Sequence, residues 1–245
     1  MKKLTGLLIG AALMIAAVNA NALSITYDHA LTGAGNKEFT SAYSSTMYNY
    51  QIETFNDVPQ GTVSTVGVKT GLLPWTWSGS ASVVNGSLSG KYAAPYGLGT
   101  ADKSNYISVP NPNAIGSVTV NLGGIYDYFG LWWGSVDSYN TLSFFKKDSN
   151  GIEQKIASFT GTQAISPSVA NGNQTAPTTN IYINFIDLPD FDSFQMYSNG
   201  FAFEADNIAI GNTTAPVPEP GTIALLGLGM AGLAVYGKRR QTNKA

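Results

Sequence analysis

The 245-residue chain carries 13 basic and 15 acidic residues, one histidine and no cysteine. The missing cysteine excludes disulfides, thiol catalysis and zinc–thiolate sites, and a lone His29 gives a Ser-His-Asp device or a histidine zinc site nothing further to draw on. Charge is uneven: from Leu23 to Val217 seven lysines and no arginine face fourteen Asp and Glu, a formal −7 against −2 for the whole chain. An acidic body of this kind disfavours nucleic acid and anionic lipid as partners.

Lys2-Lys3, the apolar run Leu4–Val18 and Ala20-Asn21-Ala22 have the three parts of a secretory signal peptide: basic start, apolar centre, small residues before the cut. Cleavage is expected after Ala22, with Ala20 as the alternative, so residues 1–22 are leader. They imply passage through the secretion machinery. His29 follows close to the new N-terminus and reads as a surface residue.

The body, residues 23–210, is rich in Gly, Ser, Thr, Asn, Val, Tyr and Phe, with short apolar–polar alternations between Gly, Asn and Pro breaks. That pattern predicts antiparallel strands. They are expected near Gln51–Phe55, Thr62–Val66, Ser80–Val84, Asn105–Val109, Gly116–Leu122, Tyr126–Trp133, Thr141–Lys147, Glu153–Phe159, Asn180–Ile186, Ser193–Tyr197 and Phe201–Ile210. Clean alternation in Ser117–Leu122 predicts Val118, Val120 and Leu122 on one buried face. The more continuously apolar Tyr126–Trp133 belongs at the centre. Asp148-Ser149-Asn150-Gly151 reads as a hairpin turn, its Asn-Gly suited to positive φ, and Ser198-Asn199-Gly200 as a second turn. Pro74–Gly99 and Gly161–Thr179 read as long loops, the latter as a polar excursion. The fold class predicted is all-β: a two-sheet antiparallel β-sandwich, jelly-roll-like.

After a linker at 211–217 comes Val217-Pro218-Glu219-Pro220-Gly221, then an apolar run, then Lys238-Arg239-Arg240 and a short polar tail at 241–245. Gly221–Gly237 is seventeen residues without charge, at the short end of the ~17–25 that span a bilayer core, so a transmembrane helix is expected. The basic cluster should stay cytoplasmic, leaving the body on the outer side. Pro218 and Pro220 hold the preceding peptide extended, as a protease or transpeptidase requires. Residues 218–240 resemble the PEP-CTERM signal of Gram-negative surface proteins. The resemblance implies recognition and cleavage by an exosortase, a precursor held transiently in the inner membrane, and a final place at the cell surface or in the extracellular matrix. A plain C-terminal anchor is the rival reading.

A second resemblance lies in the body. Phe129-Gly130-Leu131-Trp132-Trp133-Gly134-Ser135-Val136-Asp137-Ser138-Tyr139-Asn140-Thr141-Leu142 resembles the central motif of a family of exosortase-dependent surface proteins. Phe201-Ala202-Phe203-Glu204-Ala205-Asp206-Asn207-Ile208-Ala209 resembles its last strand. This implies class and address but no defined chemistry.

Candidate chemistry rests on carboxylates and aromatics, since no phosphate loop or dinucleotide fingerprint is present. Glu53, Asp57 and Asp206 form a candidate Ca²⁺ set if first and last strands meet, against the alternative that they cap turns. Asp187, Asp190 and Asp192 read as a solvated turn. Trp75 and Trp77, set in a loop, are candidate platforms for sugar rings; their rival role is packing. Trp132 and Trp133 point to opposite faces of one strand, so one should be core and the other exposed. Two carboxylates across a cleft would make a glycoside hydrolase, and no such pair is visible in the sequence. The expected function is a non-enzymatic structural or adhesive surface protein linked to exopolysaccharide. The alternative is a carbohydrate-binding module using Trp75, Trp77 and a structural calcium.

Overall fold

A computed structural model of the chain describes residues 22–28, 39–63, 73–213 and 229–230. Ala20, His29, Pro218, Glu219, Pro220, Lys238, Arg239 and Arg240 lie outside those residues, as do the rest of residues 1–21 and the apolar run apart from Gly229 and Met230. Among the described residues no helix is long and apolar enough to cross a membrane.

The strands run, in chain order, β1 (Ser24–Asp28), β2 (Tyr48–Glu53), β3 (Gly61–Thr62), β4 (Thr76–Gly79), β5 (Ser82–Asn85), β6 (Tyr96–Gly97), β7 (Thr100–Ala101) and β8 (Asn105–Val109). There follow β9 (Gly116–Tyr126), β10 (Tyr128–Gly134), β11 (Asn140–Lys147), β12 (Glu153–Thr160), the single turn α1 (Gly161–Ala164), β13 (Ile181–Ile186), β14 (Phe191–Ser198) and β15 (Phe203–Asn212). One sheet has the order β1-β13-β10-β15-β8-β5-β3, with β2 also on β15; the other has β12-β11-β14-β9-β4. The pairings within both sheets are antiparallel. The chain is a two-sheet, jelly-roll-like β-sandwich, as its alternation predicts.

Between the sheets lies one aromatic core. Val118, Val120 and Leu122 enter it from β9, Phe129, Leu131 and Trp133 from β10, and Phe144, Phe194 and Phe203 from β11, β14 and β15. Phe129 packs edge-on to Phe144 at 5.1 Å and to Phe194 at 4.8 Å, a geometry that sets ring edges against ring faces. The Asp148–Gly151 hairpin forms as expected, with Gly151 at φ 78° and Asp148 Oδ1 accepting from the backbone N–H of Asn150 and Ile152, each at 2.9 Å.

Two expectations about loops need correction, and one strand was not expected. Pro74–Gly99 contains β4, β5 and β6 rather than one short strand. The stretch 161–179 is no excursion: Thr160 and Gln163 form a capping box on α1, and Ala164, Ile165 and Ala170 enter the core. β1, next to the expected leader, was not foreseen as a strand, yet it pairs with β13 along its whole length. In each case the local pattern is short and polar, and only the partner strand or core reveals its role.

Candidate functional site

Inward and outward parity along β15 shows how the site is made. Phe203 and Ala205 point into the core, and so do Ile208 and Ile210, so the inward parity changes from odd to even between them. The register against β10 slips at this point: Trp132 faces Asp206 while Gly130 faces Ala209. Asn207, at φ 49°, is the turning residue of this β-bulge. Glu204 therefore points to the outer face of the larger sheet.

That outer face is not wet. Segments around 39–47, 86–104 and 171–180 cover it. Asn207 Nδ2 donates to the Phe39 carbonyl at 2.8 Å, and Trp132 lies edge-on to Phe39 at 5.2 Å. Asn180, buried, uses its whole amide: Oδ1 accepts from Ser135 N at 3.0 Å and Tyr96 N at 3.1 Å, while Nδ2 donates to the carbonyls of Asn173 and Ala176. One side chain thus ties two covering segments to the end of β10.

At that end a polar cavity of about 230 Å³ opens, lined among others by Lys91, Tyr92, Ser135, Asp137, Tyr139 and Glu204. Glu204 sits at its base, 2% exposed. Its Oε1 accepts from Ala93 N at 2.9 Å and its Oε2 from Ser135 Oγ at 3.0 Å. Burial pushes its pKa up to about 8, and the nearby Asp137 charge adds to the rise against those hydrogen bonds. Burial also raises Asp137, and raises Tyr139, whose hydrogen bond to Asp137 and proximity to its charge push the same way. Tyr139 Oη donates to the Phe201 carbonyl at 2.7 Å.

Two glycines lie against side chains that line the cavity. Gly172, at φ 66°, lies so close to the Asp137 carboxylate that a Cβ there would collide with it. At Gly200 a Cβ would meet the Tyr139 ring at 3.1 Å. Ser135, at φ 37°, adopts a left-handed backbone that a side-chain-bearing residue seldom holds, and such residues gather where surrounding structure over-determines them. The turn Ser135–Asn140 and the strand Phe203–Asn212 belong to the two body motifs. Ser135 and Glu204 join them.

The sequence candidates fare differently. Trp75 and Trp77 are wholly buried between the sheets, so they are core and have no face to offer a sugar. Trp77 pairs with inward-facing Val120 and packs edge-on to Phe55 at 5.7 Å; Trp75 packs on Phe194 and donates to Gln51. Trp133 stacks on Phe203 at 4.0 Å and Trp132 is covered by Phe39, so neither is exposed.

The calcium set is not assembled. The early strand β2 and the last strand β15 do meet, but Glu53 pairs with inward-facing Ile208 whereas Asp206 follows the bulge to the outer face. Glu53 Oε1 caps Phe55 N at 2.8 Å, and burial raises its pKa. Asp57 is exposed. No group of three potential metal-ligating side chains forms among the described residues. Asp190 ion-pairs with Lys146 at 2.8 Å and Asp192 accepts from Lys147 N, as a solvated turn would.

Ser135, Asp137, Tyr139 and Glu204 lie within the two body motifs, and the sequence alone assigns them no chemistry. A signal was present in Glu204, a carboxylate flanked by Phe203 and Ala205 in a strand with strongly apolar neighbours.

The model of the PEP-CTERM protein-sorting motif matches residues 216–240. No curated protein matches the chain. Among solved structures, the family 32 carbohydrate-binding module from Clostridium perfringens NanJ in complex with galactose aligns with a TM-score of 0.31 and 13% identity, over 55% of this chain and 92% of that one. The family 32 module from Streptococcus pneumoniae EndoD aligns at 0.29 with 12% identity, over 54% and 95%. A family 89 glycoside hydrolase from C. perfringens, in complex with PUGNAc, aligns at 0.29 with 20% identity, over 58% of this chain and 15% of that one. Scores and identities this low transfer neither ligand nor site.

Proposed function

Because the chain carries a PEP-CTERM protein-sorting motif, we propose that it is an exported, exosortase-processed surface protein whose β-sandwich holds a saccharide unit of the exopolysaccharide in the Glu204 cavity. The role is structural or adhesive and non-enzymatic. The precursor is anchored in the inner membrane by its apolar tail and released from it to the cell surface or matrix on processing.

One observation supports the binding role: a fully buried carboxyl at the base of a polar cavity, held in place by Ala93 N and Ser135 Oγ. Buried polar groups on rigid strands present fixed donors and acceptors, which is how a small site gains specificity. The volume, about 230 Å³, lies below the ~300–1,000 Å³ of sites for drug-sized ligands and suits one sugar ring. Both oxygens of Glu204 are already engaged by the protein, which favours holding a ligand over proton transfer to one.

A glycan array with the purified protein tests this reading, with Tyr139→Ala as the control that opens the cavity wall. Saturable binding to a polysaccharide, weakened about tenfold or more in the variant, is the expected result. A protein that binds no glycan yet assembles normally at the surface has a structural role alone. Turnover of a glycoside, abolished by Asp137→Asn, makes it an enzyme.

A further inference from the structure

The cavity holds two carboxyls from separate elements, Glu204 from β15 and Asp137 from the turn after β10, and a single cationic side chain, Lys91. Lys91 is exposed and makes no ion pair with either of them; among the described residues the ion pair formed is Lys146–Asp190, elsewhere on the smaller sheet. A buried carboxyl without a cationic partner keeps its proton, because a lone charge in a low-dielectric site is costly. Here the protein supplies hydrogen bonds to Glu204 and leaves the countercharge out. Resting on the saccharide reading above, we propose that the cavity selects an amino sugar bearing a free ammonium group, whose charge lies between Asp137 and Glu204.

The remaining lining agrees. Tyr92 and Tyr139 give flat, neutral walls, and Asn171 and Gln174 offer amide groups for ring hydroxyls. A uronic acid would bring an anion beside two acids. An N-acetylated sugar would bring a bulkier, neutral group into a small cavity and forgo the charge pairing. The titratable groups facing Glu204 are Asp137, Lys91, Tyr92 and Tyr139 in the cavity and Tyr106 beneath it. Since Glu204 keeps its proton near neutrality, an arriving ammonium ionises it and a proton leaves to solvent.

The test is calorimetric titration of the full chain, kept in detergent at pH 7.5, with glucosamine, N-acetylglucosamine and galactose oligomers. The glucosamine oligomer should bind about tenfold tighter than the other two, a factor equal to ~1.4 kcal/mol. Asp137→Asn and Glu204→Gln should each bring that preference to within about threefold. Should Glu204→Gln fail to fold, Asp137→Asn alone decides. Equal affinity for the amine and the N-acetylated oligomer overturns the amino-sugar proposal and leaves the saccharide site standing. Binding of no oligomer overturns both. Calcium chloride alone giving a saturable signal, lost in Asp137→Asn, assigns the countercharge to a metal ion and overturns the proposal.

Discussion

The two faces of the larger sheet are both buried, yet they are built on opposite chemistry. The inner face is dry and aromatic: Phe129, Leu131, Trp133, Phe203 and Ile208 meet side chains of the smaller sheet. The outer face presents Tyr128, Tyr182, Asn184, Asn207 and Glu204 to covering segments, and each of these five side chains is hydrogen-bonded. Gly130 makes room there: a Cβ would meet the Tyr128 and Tyr182 hydroxyls at 2.5 and 2.7 Å. The contrast teaches that burial alone does not define a core. One face drives folding through apolar area; the other fixes orientation through hydrogen bonds and leaves a cavity for function.

The inner face should be the costlier to damage. Trp133→Ala removes a ring stacked on Phe203 and should cost about 3–5 kcal/mol in a denaturant titration. A loss under about 1 kcal/mol would mean the site collapses and the faces differ less than described.

Next in size is the proton on Glu204. Its folded pKa is raised from 4.5 to about 8, so the folded state holds a proton that the unfolded state has lost. Its contribution to stability is fully present below about pH 4.5 and falls as pH rises to about 8, by a few kcal/mol in order of magnitude. Glu204→Gln should match the parent near pH 4 and exceed it at pH 9. Parallel pH profiles for the two proteins would contradict a buried, protonated acid.

Gly172→Ala sharpens the comparison at the cavity rim. A side chain at φ 66° that also meets the Asp137 carboxylate should cost roughly 1–2 kcal/mol and weaken glycan binding by more than stability changes explain. Thermal melts beside binding isotherms check it; unchanged binding would place Asp137 outside the ligand's reach.

The smallest effect belongs to neither face. Lys146→Ala breaks the Lys146–Asp190 pair, whose side chains are 35% and 59% exposed, and should shift stability by less than about 0.5 kcal/mol. A larger shift would show that the pairing of β11 with β14 depends on this contact.

Much of the fold was legible in the chain because a period of two in β9, together with Asn-Gly and Asn-containing turns, leaves one consistent arrangement: antiparallel strands with Val118, Val120 and Leu122 inward. The candidate site was less legible. Trp75 and Trp77 sit among Gly and Ser, and local composition reads that as loop, whereas register against β9 makes it strand and core. Asp206 and Glu53 were expected to converge, and a one-residue bulge sent them to opposite faces.

By itself, then, the sequence determined the sorting motif at 216–240 and the all-β class, because a sorting motif is read as a linear peptide and alternation is local. Only the tertiary structure decided that Ser135 and Glu204, sixty-nine residues apart, share one cavity. Hydrogen bonds between distant strands, and loops folded back over a sheet face, leave no periodic trace along the chain.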